Sequence, residues 1–232
     1  MGGWEKVGDG IWVRGYRFND NPLNSSAIAL DDGGLMVISP ATDLSDADYA
    51  ELDEIGTVRA LVSPGAFHNM GLPAWSARYP EAGIYGPAAA AAHIAKTHPG
   101  LPALKDFAAL SELLPEGVTV EECEGMGQPD AMIIVRRDDG ITWLSNEVIT
   151  NWKGWPSKLM FRVIFRLTGS GPGLNINTMA LMLTKGKKPI VKDYFLRTLD
   201  DAPLTRLVPC HGEVLEDADL ASKLREVVAR RL

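Results

Sequence analysis

The chain is 232 residues long, 46% hydrophobic and 23% charged, which suits a single domain, residues 1–232, with a substantial core. A net charge of −7 argues against the cationic face that sequence-independent nucleic-acid binding requires, so no nucleic-acid partner is expected. The two cysteines, Cys123 and Cys210, form neither a C-x-x-C pair nor a dense framework. A reduced, cytoplasmic setting is the expectation.

The N-terminal stretch MGGWEKVGDGIW has acidic residues and no continuous apolar run, so it does not read as a signal peptide. No segment approaches the roughly 18 apolar residues that span a bilayer. Residues 10–18, 25–32 and 33–40 are short β-type runs, the last two joined at DDGG, where aspartate and glycine suit a tight hairpin. Residues 45–55 predict a helix, with Ser45 or Asp46 as cap and Tyr49, Leu52 and Ile55 at helical spacing. Residues 57–64 follow as a buried strand.

Residues 72–80 predict a short helix, 83–87 a strand end and 88–98 an alanine-rich helix. His98 falls at the end of that helix, where a cationic imidazole would complement the dipole, and His93 reads as structural. Strands are predicted at 118–124, 130–139 and 141–150. Helices are predicted at 156–167, 175–183, 188–199 and 216–232, with one more strand at 205–213. Two halves, each β-rich and then helical, point to an α/β (α+β) architecture of two sheets with helices outside.

In such an architecture, polar residues at strand ends collect along one edge. Three strand ends stop on chemically suggestive residues: LVSPGAFHN, WLSNE and LVPCHGE. On these stretches the chain resembles the metallo-β-lactamase superfamily, in a branch with a degenerate metal motif. Laid on the superfamily pattern T-H-x-H-x-D-H-x-G-G, the segment SPGAFHNMGL places Pro64 and Ala66 at the first two histidines. His68 then falls on the aspartate and Asn69 on the last histidine. CEGMGQPDAMIIV resembles the P-G-H-T-x-G segment with Met126 at the ligand histidine. WLSNEVIT resembles the strand ending in a bridging aspartate, with Glu147 in its place, and LVPCHGE resembles the P-x-H-G turn with His211 retained.

The resemblance implies a four-layer αββα sandwich and, in complete members, a dinuclear metal site. Proline and alanine offer no side-chain donor and a thioether is a poor zinc ligand, so one metal is expected to be lost. His68, Glu147 and His211 remain as a three-ligand set for one divalent metal, zinc foremost, then iron or manganese. The implied activity is hydrolysis of an ester, amide, thioester or phosphoester by metal-bound water, with Asn69 orienting the water or donating to a developing oxyanion. Taken singly, each of these residues has an ordinary reading as a loop or hydrogen-bonded side chain. The alternative is therefore a metal-free ligand-binding or regulatory protein on the same fold. Di-iron oxidoreductase chemistry, known in relatives, ranks last because the first metal's ligands are missing.

Residues 151–173 are the other informative stretch. Lys158, Arg162 and Arg166 recur at i, i+4 and i+8, one basic stripe on a helix that is otherwise apolar, preceded by Trp152 and Trp155. An ordinary packed helix with solvated cations competes with a lid, a homodimer contact and a membrane-surface element. Among the functional readings a substrate-covering lid is preferred, with the three cations binding an anionic small-molecule substrate. Cys210 is expected to be a packed thiol, not a ligand.

Overall fold

Along residues 11–18, Ile11 and Val13 are buried on one face of the first long strand and Arg14 and Tyr16 on the other, so the strand is covered on both sides. In a computed structural model, which describes residues 3–18 and 21–232, the chain forms two compact units, one ending at Val120 and one beginning at Glu121. Met1, Gly2, Asn19 and Asp20 lie outside the described residues, so the start of the N-terminal stretch read above does too.

The first unit carries a six-stranded sheet in sequential order, β1 (Glu5–Gly8), β2 (Ile11–Phe18), β3 (Asn21–Ala29), β4 (Gly34–Ile38), β5 (Thr57–Val62) and β6 (Gly83–Tyr85). The first four strands pair antiparallel, as the meander predicts, and β5 and β6 add in parallel. At the expected hairpin, Gly34 donates its N–H to Asp32 Oδ1 at 2.8 Å and Gly33 takes φ +76°.

Helix α1 (Asp46–Ile55) begins as predicted. The Ser45 hydroxyl accepts from Asp48 N and the Asp48 carboxylate accepts from Ser45 N, a reciprocal cap. Arg14, 6% exposed on β2, pairs with Asp48 at 2.6 Å and ties the helix to the sheet. Helix α2 (Leu72–Arg78) buries Trp75 completely, its indole N–H donating to Ala41 O at 2.8 Å. Tyr49 and Trp4 meet that ring edge-on, so three aromatics from distant parts of the chain close this core.

The alanine-rich stretch divides into a 3-10 turn at Ala88–Ala90 and helix α3 (Ala91–Thr97). Helix α4 (Phe107–Ser111), capped by Asp106, and strand β1 were not anticipated from the sequence.

The second unit is built on a five-stranded sheet. In chain order its strands are β7 (Val118–Glu122), β8 (Ala131–Arg137), β9 (Gly140–Ser145), β12 (Arg206–Pro209) and β13 (Leu215–Glu216), with β7 running across the unit boundary. β8 and β9 form the predicted hairpin, β12 lies parallel to β9, and β13 forms the edge beside β12. Trp143 on β9 is fully buried. It stacks on Phe195 of helix α7 (Lys188–Asp201) and donates to Ala202 O at 3.0 Å. Leu224, Val227 and Val228 of helix α8 (Leu220–Arg231) join the same core. Both cysteines are buried and neither is in a disulfide, and the burial of Cys210 agrees with its reading as a packed thiol.

Three predicted elements are corrected here. Residues 141–150 are not one strand: after β9 the chain breaks at 146–148, and β10 (Ile149–Trp152) leaves the sheet to pair with β11 (Gly173–Ile176). Residues 175–183 are helical only from Thr178 to Leu183 (α6), because Asn177 caps the helix by accepting from Ala180 N while Asn175 and Ile176 are held in the β11 ladder. The closing helix starts at Leu220, not 216, since Leu215 and Glu216 pair with β12. Helix α5 (Leu159–Thr168) lies between β10 and β11 in sequence, with Lys158 as its N-cap residue. Among the described residues no helix is long and apolar enough to cross a membrane.

Candidate metal centre

In the second unit, the break between β9 and β10 presents Glu147. The Ser145 hydroxyl accepts from Ile149 N at 3.1 Å and donates to Ile149 O at 3.2 Å, closing the turn from inside. Asp130 Oδ1 accepts from Asn146 Nδ2 at 2.7 Å and from Glu147 N at 3.3 Å. The backbone that carries the carboxylate is thereby fixed from two directions.

His211 follows β12. Cys210 N donates to Ser145 O at 2.7 Å, which carries the β9–β12 pairing one residue past Pro209. β10 then grips the next turn: Asn151 N donates to His211 O at 3.0 Å, Glu213 N to Asn151 O at 2.9 Å, and Asn151 Nδ2 to Glu213 O at 2.8 Å. Between them Gly212 has φ +113°, and a Cβ there would stand 1.9 Å from Asn151 O, so the position admits only glycine. The indole of Trp152 lies against the His211 ring, centroids 5.1 Å apart, and on its other contact meets Phe165 of α5 at 6.0 Å.

These two turns bring Glu147 Oε2 to 3.4 Å from His211 Nε2, with both side chains partly exposed. A direct charge-assisted hydrogen bond would be shorter, about 2.7–2.9 Å. Two ligands on one tetrahedral cation, at about 2.0–2.1 Å each, stand about 3.3 Å apart. The pair therefore fits as two ligands of one zinc-sized ion.

In the first unit His68 lies in the turn after β5 and takes φ +59°, a left-handed conformation that a non-glycine residue adopts at a cost. The turn is held around it. The Ser63 hydroxyl donates to Gly65 O at 2.9 Å and Asn69 Nδ2 to Ala66 O at 2.8 Å. Asn69 Oδ1 is 2.9 Å from His98 Nε2; with the amide nitrogen facing Ala66, the oxygen accepts and His98 carries its proton on Nε2. Both ends of the Asn69 amide thus serve the turn.

His98 departs from the expected helix-end cation. Burial, and then the neighbouring charge of His93, hold its pKa below the ordinary histidine value, so the neutral form is favoured. The cations expected to bind substrate are exposed at α5: Arg162 Nε donates to Pro156 O at 2.7 Å and the Arg166 guanidinium lies over the Trp155 ring at 5.2 Å.

Among solved structures, the chain is similar to a metallo-beta-lactamase from Erythrobacter litoralis, solved with beta mercaptoethanol in the active site. That match has a TM-score of 0.64 at 11% identity and covers 98% of this chain and 96% of that one. The DIM-1 metallo-beta-lactamase matches with a TM-score of 0.62 at 13% identity, covering 99% of this chain and 97% of that chain. FIM-1 from Pseudomonas aeruginosa, in its mono-zinc form, gives 0.60 at 12%, covering 98% and 94%. The chain has the metallo-β-lactamase fold. No family model matches the sequence, and no curated protein matches it.

Within this metallo-β-lactamase fold, the positions read as lost ligands are packing residues. Pro64 is buried and Ala66 belongs to the first unit's core, while Met126 packs against the second unit's. The sequence reading did not single out Ser145, Asp130 or Asn151, which set the two turns. Their only signal was polarity at strand ends, which many solvated residues share.

Proposed function

We propose that the chain is a metal-dependent hydrolase with a mononuclear site, in which Glu147 and His211 hold one divalent cation, zinc by preference and iron or manganese otherwise, with His68 the third ligand that the sequence resemblance implies. The observation that carries this reading is the 3.4 Å approach of Glu147 to His211, on a fold shared with metallo-beta-lactamases. Strain at His68 supports it, since a disfavoured backbone angle is retained where a side chain must be aimed. The mono-zinc form of FIM-1 is a neighbour with a single ion. A second ion is not part of the proposal, because Pro64 and Ala66 have no donor atoms and Met126 is engaged in packing.

When bound, such an ion lowers the pKa of a water and polarises a carbonyl or phosphoryl oxygen, which suits hydrolysis of an ester, amide, thioester or phosphoester. The protein's own residues supply the rest. Ser145, Asp130 and Asn151 keep the donor-bearing turns rigid, and the tilted Trp152 ring packs against the His211 ring and limits its rotation. Asn69 acts as a positioning residue for the His68 turn. Lys158, Arg162 and Arg166 would draw an anionic substrate by long-range attraction.

Metal analysis of protein purified without an affinity tag tests the reading. About one equivalent of zinc, iron or manganese that disappears in Glu147→Gln and His211→Ala is expected. Sub-stoichiometric metal in the wild type sinks it and leaves a metal-free binding protein as the better account.

A further inference from the structure

Helix α5 inverts the usual arrangement of a surface helix. Its inner side is Phe165, 7% exposed, with the half-buried Ile164 and Thr168 beside it. The opposite side, where solvent contact calls for polar residues, carries Leu159, Val163 and Leu167 at i, i+4 and i+8, exposed by 74%, 48% and 82%. Met160, 63% exposed, widens the stripe. Helix α6 packs beside α5 and adds Met182 and Leu183, exposed by 64% and 76%. Scattered exposed apolar residues need no explanation, but a continuous apolar stripe on two adjacent helices marks an interaction surface.

Charge identifies the partner. Between Val148 and Lys192 the sequence has eight lysines and arginines and no aspartate or glutamate, whereas the remainder of the chain carries −15 to reach the overall −7. Arg162 and Arg166 flank the apolar stripe on α5, and Trp155, 41% exposed, lies at its entrance. A second copy of this chain is disfavoured as the cover, because a two-fold contact would bring one basic stripe against its equal. Nucleic acid would meet the cations but leave the leucines in water. An anionic bilayer satisfies both: acyl chains receive the leucines, headgroup phosphates meet the arginines, and tryptophan favours the boundary.

We propose that α5 and α6 form a peripheral docking surface for anionic lipid membranes. This does not depend on the metal-site reading.

Vesicle co-sedimentation tests it, with phosphatidylcholine alone and with phosphatidylserine added. Wild-type protein is expected to bind the serine-containing vesicles at least about tenfold more tightly than the neutral ones, and to be released by high salt. Leu159→Gln with Leu167→Gln, at positions too exposed to affect folding, is expected to weaken binding by about tenfold or more. Arg162→Gln with Arg166→Gln is expected to reduce the preference for phosphatidylserine by about tenfold or more while leaving the circular dichroism spectrum unchanged. Failure to sediment with either vesicle, or binding that the leucine pair does not alter, overturns the proposal. So does light scattering that shows a dimer which the leucine pair dissociates, since a second copy would then be the cover.

Discussion

Glu147 Oε2 and His211 Nε2 stand 3.4 Å apart, although 64 residues separate them in sequence, because the parallel pairing of β9 and β12 ends both strands at the same level. Pro209 is level with Ser145 in that register, so the residues just beyond each strand emerge side by side. If this pair ligates a cation, His211→Ala removes a donor whose loss exceeds that of an outer-shell partner. Metal affinity is then expected to fall by more than about a hundredfold. Competition with a chromophoric chelator measures this, and a decrease under about tenfold would mean that His211 is not a ligand.

The turn that presents His211 depends on Gly212. An alanine there meets Asn151 O at 1.9 Å and also has to hold φ +113°, so Gly212→Ala must move β10 away from the 211–213 turn or unwind it. A destabilisation of about 2–3 kcal/mol is expected, from backbone strain and lost hydrogen bonds together. Urea unfolding checks the value. A variant as stable as the wild type would show that the turn relaxes without penalty.

The fold was largely legible because its signals are local and periodic. Ser45 before Asp48 announces α1, DDGG announces the β3–β4 hairpin, and the apolar runs of β5 and β8 read directly as buried strands. Errors fell where tertiary pairing overrides local preference. Residues 173–176 are extended only because β10 pairs with them, and residues 146–148 break a run of strand formers only because Ser145 and Asp130 capture the backbone there. The candidate site was legible as a set of residues through the resemblance, since LVPCHGE and WLSNE keep recognisable surroundings. The supports of the site were not, because a hydrogen bond such as that between Asp130 and Asn146 follows no spacing rule. The apolar character of α5 was legible, whereas the outward aim of that stripe required the burial of Phe165 to be known.

The reciprocal cap of α1 gives a test of the first unit's stability. Ser45→Ala leaves Asp48 N without its side-chain acceptor at a helix start, and is expected to cost about 1 kcal/mol. Ser45→Thr, which keeps the hydroxyl, is expected to restore most of it. Chemical denaturation of the three proteins decides the matter, and an alanine variant within error of the wild type would place the energy of this terminus in the Arg14–Asp48 pair instead.

Acid sensitivity should trace to His98. Its pKa lies below the ordinary histidine value of 6.5 because burial, and then His93, disfavour the imidazolium. The unfolded chain therefore binds more protons than the folded one in the window beneath that value, so the contribution is present above about pH 6.5 and is lost as pH falls toward the folded pKa. Protonation would also put a second N–H into a buried place where Nε2 is already bonded to Asn69 Oδ1. Replacing His98 by glutamine keeps an N–H donor for Asn69 and removes the titration. Between about pH 7 and pH 5 the wild type is expected to lose more stability than His98→Gln, read as the difference in urea midpoints at the two pH values. Equal losses in the two proteins would assign the acid sensitivity to other groups, and the turn that carries His68 would then be insensitive to the state of its nearest buried histidine.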